Sequence, residues 1–81
     1  MTYTLIPGID LLEAVRRYGL VGRTGTVPDA AGLPFTLHHR SEQLPGGPIT
    51  FIELEDGAYW LTVGGERGPN FHYCAVPDRA P

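Results

Sequence analysis

Four side chains in this 81-residue chain carry metal-binding or nucleophilic chemistry: His38, His39, His72 and Cys74. His72 and Cys74 stand two apart in the run FHYCAV. On a strand that spacing points both to one face, and His38 or His39 arriving from a neighbouring strand would complete three ligands for a zinc ion. The same group offers a Cys–His nucleophile pair, Cys74 with His72 or with His39. Neither constellation has its usual grammar, since no C-x-x-C, H-x-x-x-H or H-E-x-x-H is present. The common fate of an isolated strand cysteine is a small buried hydrophobe, and a histidine at a strand end more often caps a carbonyl than binds metal. No catalytic residue and no cofactor are therefore assigned, and zinc ligation stands as the alternative reading.

Glu53 and Glu55 share a strand face beside Asp56. Paired acids can exchange protons with a substrate, but Glu alternating along a strand is first a solvated face that keeps a sheet from aggregating. Gly46-Gly47 and Gly64-Gly65 lack the Lys and Ser/Thr of a phosphate loop and read as turn glycines.

The element that must hold these groups is residues 49–63, ITFIELEDGAYWLTV. An Asp-Gly pair between two β-branched and aromatic runs predicts a hairpin closed by a type I′ turn at Asp56-Gly57. With those two residues as the whole loop, Glu55 faces Ala58, Leu54 faces Tyr59, Ile52 faces Leu61 and Phe51 faces Thr62. Ile52, Leu54, Tyr59, Leu61 and Val63 then form a core face, while Phe51, Glu53, Glu55 and Trp60 share the other. Two aromatics among acids form either a second core layer or the anchor for a protein partner, because aromatics concentrate at interface centres.

Around the hairpin, residues 3–6 predict a short edge strand stopped by Pro7-Gly8. Asp10 and Glu13 have capping-box spacing and open a two-turn helix whose apolar stripe is Leu11, Leu12, Val15 and Tyr18. Gly19 ends it, with Leu20 folding back on Val15. Residues 22–27 and 33–39 read as strands around a turn, and the glycines inside the first predict a bulge and strong curvature. Residues 71–76 form a last strand ended by Pro77.

The sum is an α+β fold. One short N-terminal helix packs on a curved antiparallel sheet of four to five strands, in a single domain spanning 1–77 with a frayed tail at 78–81. The segment GLVGRTGTV resembles the glycine-valine turn of KOW-type and related SH3-like small barrels. That resemblance implies an SH3-like, partly open barrel. It also implies nucleic-acid binding, for which Arg16, Arg17 and Arg23 are the candidate cations.

A net charge of −3, with no basic stripe, argues against affinity for phosphate backbones. No apolar run reaches the roughly 20 residues of a membrane span, no signal segment opens the chain, and one cysteine makes no internal disulfide. A soluble, cytoplasmic setting is expected. All six basic residues are Arg, as in proteins from GC-rich bacterial or phage genomes. The functional expectation is a small non-enzymatic protein-binding module, regulatory or inhibitory, of the kind phages and mobile elements direct at a host protein. Its partner is another protein or a second copy of itself, bound through Phe51, Glu53, Glu55 and Trp60.

Overall fold

The fold was obtained as a computed structural model, which describes residues 3–28, 44, 47–64 and 70–78. In chain order the elements are β1 (Tyr3–Pro7), α1 (Leu11–Tyr18), β2 (Leu20–Val27), β3 (Ile49–Leu54), β4 (Tyr59–Val63) and β5 (Phe71–Pro77). The five strands make one antiparallel sheet in the order β1-β5-β4-β3-β2. This is the expected α+β arrangement of one helix on an antiparallel sheet, and β1 lies at an edge as its terminal proline requires. The predicted strand at 33–39, and with it His38 and His39, lies outside the described residues.

Helix α1 begins where the sequence places it. The Asp10 carboxylate accepts the Glu13 N–H at 2.8 Å, relieving one of the unpaired amides of the first turn. At the other end the Gly19 N–H donates to the Val15 carbonyl at 2.8 Å. Gly19 has φ 84 and ψ 170, a conformation essentially confined to glycine. The buried stripe differs from the expected one. Ala14 is fully buried with Leu11, Val15 and Tyr18 beside it, whereas Leu12 is 69% exposed. Positions 11, 14, 15 and 18 are one helical face. Leu12 is hydrophobic but out of phase with that face, and the small Ala14 lets the helix lie close to the sheet. Leu20 follows as the first residue of β2, more than half exposed.

The central hairpin has the expected turn and an unexpected register. Asp56 (φ 60, ψ 24) and Gly57 (φ 78) occupy the two left-handed positions, and the Ala58 N–H donates to the Glu55 carbonyl at 3.2 Å, as in a type I′ turn. Leu54, not Glu55, donates its N–H to the Ala58 carbonyl, at 2.8 Å. Leu54 and Glu55 thus both oppose Ala58, a one-residue bulge. Below it Glu53 pairs with Tyr59, Ile52 with Trp60, Phe51 with Leu61 and Ile49 with Val63. One inserted residue turns over every β3 side chain relative to β4.

The consequence is a core on each side of the sheet. Tyr3, Ile49, Phe51, Tyr59, Leu61, Val63 and Ala75 form one. Leu54, Ala58, Trp60 and Cys74 form the other, joined by Ile9 and Ala14 from the helical side. The expected grouping of Ile52 and Leu54 with Tyr59, Leu61 and Val63 is incorrect. So is the expected pairing of Phe51 with Trp60: they stand on opposite faces and both are buried.

Candidate interaction surface

Phe51, Glu53, Glu55 and Trp60 do not make one surface. Phe51 is packed beneath β2, edge-on to Tyr59 with ring centroids 5.9 Å apart. Trp60 lies on the helical side, where its indole N–H donates to the Ile9 carbonyl at 2.9 Å. Glu55 is exposed in the turn. Glu53 shares the Phe51 face, where Nη2 of Arg23 lies 2.6 Å from its Oε2. That oxygen is closed off from solvent and the contact is an ion pair without an aligned hydrogen bond.

Arg23 reaches Glu53 because β2 is bulged. Leu20 pairs with Leu54 but Thr24 with Ile52, so Val21, Gly22 and Arg23 oppose the single residue Glu53. Gly22 takes φ 107 in this bulge. The guanidinium also donates to the Tyr59 hydroxyl at 3.2 Å, and that bond, with the Glu53 charge, raises the Arg23 pKa further. Glycine in the strand signalled the bulge, as expected. The partner it would find for Arg23 left no mark in the sequence.

The nucleic-acid candidates do not converge. Arg16 and Arg17 occupy the last turn of α1, at 3.7 Å and 2.9 Å from the Glu13 carboxylate, and Arg23 is held by Glu53 on β2. Of the metal candidates, His72 and Cys74 do share a face, as two-residue spacing demands. Cys74 is fully buried, and burial pushes its thiol up to about 11 against a weaker opposing pull from Arg17. A thiol so raised holds its proton near neutral pH. The His72 ring stacks on Trp60 at 5.2 Å, with Nδ1 3.2 Å from the Thr62 hydroxyl. Among the described residues no three His, Cys, Asp or Glu side chains come together as a metal site.

Comparison with known protein families, with curated proteins and with solved structures finds no match. Among the described residues no helix is long and apolar enough to cross a membrane.

The most distinctive feature of the surface is β2. Among the described residues this strand ends the sheet, and Leu20 and Val21 at its start are 53% and 56% exposed. The direction of its main-chain groups follows from the hairpin. Leu54 bonds to Ala58, and Gly64 donates to the Pro48 carbonyl at 3.2 Å, so 48, 50, 52 and 54 face β4. The alternating residues 49, 51 and 53 face β2. Gly25 and Val27, the partners of Phe51 and Ile49, bond inward, and the N–H and C=O of Thr24 and Thr26 point away from the sheet.

Proposed function

We propose that the chain is a small non-enzymatic protein-binding module, regulatory or inhibitory, that engages its partner by adding a strand to β2. The observation that carries this reading is the outer rim of β2, where the Thr24 and Thr26 main chain faces outward beside the exposed Leu20 and Val21. Main-chain hydrogen bonds supply affinity in such pairing, and side chains flanking the edge supply selectivity. The bulge also bends the sheet, which favours reading the fold as an SH3-like, partly open barrel with β1 and β2 as its rims.

The test compares capture by three immobilised folded forms, the wild type, Val21→Lys and Leu12→Lys. Partners retained by the wild type and Leu12→Lys but lost by Val21→Lys are expected. An identical set on all three forms would overturn the assignment to β2.

A further inference from the structure

Residues 21–23 cross the start of β2 as an arch between two fixed points. On one side Leu20 pairs with Leu54, and Gly19 lies close against the Glu55 side chain, whose Cδ is 2.5 Å from where a Cβ on Gly19 would stand. On the other side residues 24–27 run in regular register with 49–52. Val21, Gly22 and Arg23 have no partners of their own in that register, and all three are exposed. Segments with few buried contacts are the ones that open locally while the rest of a fold stays closed.

We propose that Arg23, Glu53 and Tyr59 form a latch on this arch, closed by the ion pair and opened when the charge is removed or screened. The latch acts within the chain itself, whether or not β2 receives a partner strand. It spans three strands, with the guanidinium coming from β2, the carboxylate from β3 and the hydroxyl from β4. The receiving side is fixed: Glu53 and Tyr59 are direct ladder partners, and Tyr59 is buried in the core on that face. The arch has no such support at its middle, where a Cβ on Gly22 would meet nothing within 4 Å. The Arg23 side chain is what ties residues 21–23 to the sheet.

The contact is also one that can let go. Nη2 of Arg23 lies 2.6 Å from Oε2 of Glu53 without an aligned hydrogen bond, so the attraction is one of charge. The Arg23 side chain stays 59% exposed, and dissolved ions reach the cation and weaken its hold as ionic strength rises. Open, the latch frees the Arg23 guanidinium and the main chain of 21–23 while 24–27 remain paired.

Trypsin reads this state, because it cuts after arginine only when the side chain can enter its specificity pocket. Where opening is fast relative to cutting, the rate follows the open population. Limited digestion of the full chain, with fragment masses followed over time, gives the rate after Arg23 beside those after Arg16 and Arg17 on α1. Glu53→Gln keeps the shape and removes the charge; it should speed the cut after Arg23 about tenfold and leave the two helix sites unchanged. Raising sodium chloride to about 0.5 M should speed that cut severalfold in the wild type, relative to an unstructured peptide of residues 20–27, and have no such effect in Glu53→Gln. Equal acceleration at every arginine in Glu53→Gln would mean that the whole fold loosens, and would overturn a local latch. A rate after Arg23 that the substitution leaves unchanged would overturn it too, since the arch would then be held by its main chain. Acceleration by the substitution with no response to salt in the wild type would overturn opening by screening.

Discussion

Gly25 and Phe51 are ladder partners, and the Phe51 ring fills the space a side chain at position 25 would need: a Cβ placed there falls 2.7 Å from ring carbons Cε1 and Cζ. The glycine weakens β2 as a strand but lets a large aromatic pack close against its backbone, so the cost in propensity is offset by burial. Gly25→Ala should therefore destabilise the fold by about 1–3 kcal/mol through forced movement of the ring. In urea titrations the loss should shrink when Phe51 is replaced by Leu in the same chain, a non-additivity that a simple propensity effect would not show.

Trp60 reports on the packing of the segment before α1. Its indole N–H bonds to the Ile9 carbonyl and its side chain is buried. The native emission should be blue-shifted and poorly quenched by acrylamide, moving to the red only on unfolding. Trp60→Phe, which keeps an aromatic ring but strands the carbonyl, should cost about 1–3 kcal/mol. An exposed, readily quenched Trp60 in the single chain would contradict this placement.

Cys74 makes stability fall on the alkaline side. Its thiol ionises near 9.0 when unfolded and at about 11 in the fold, raised by burial. Below pH 9 both states hold the proton and the contribution is complete. Between 9 and 11 the unfolded chain binds fewer protons, so stability declines, by on the order of 1–3 kcal/mol, and levels off above 11. Tyr3, raised by burial and by Tyr59, acts with the same sign from its usual 10.0 upward. Cys74→Ala should remove the part that belongs to the thiol. Equal alkaline slopes in the two proteins would refute it.

The hairpin register can be checked directly by nuclear Overhauser contacts. Because 54 with 58 and 48 with 64 are the hydrogen-bonded pairs, Phe51 with Leu61 and Ile49 with Val63 are non-hydrogen-bonded pairs. Their Hα atoms should give strong cross-strand signals. Side-chain contacts between Leu54 and Tyr59 should be missing, since those residues lie on opposite faces.

Local chemistry alone determined a good deal of this molecule. The Asp10 cap, the Gly19 stop, the left-handed Asp56-Gly57 turn and the proline-limited first strand each depend on a few adjacent residues whose backbone preferences leave little choice. The bulge in β2 was legible for the same reason, as glycine inside a strand. Tertiary structure decided the rest. Whether Asp56-Gly57 closes a two-residue loop or sits beyond a bulge at Leu54-Glu55 is settled by which register lets both faces bury apolar side chains, with α1 over one of them. That choice sent Phe51 under Gly25 and Trp60 toward Ile9, dissolving the surface their sequence spacing implied. It also gave Arg23 its carboxylate. Side-chain alternation has a period of two, so a single inserted residue reverses a whole strand, and that insertion is stabilised by contacts far away in the chain.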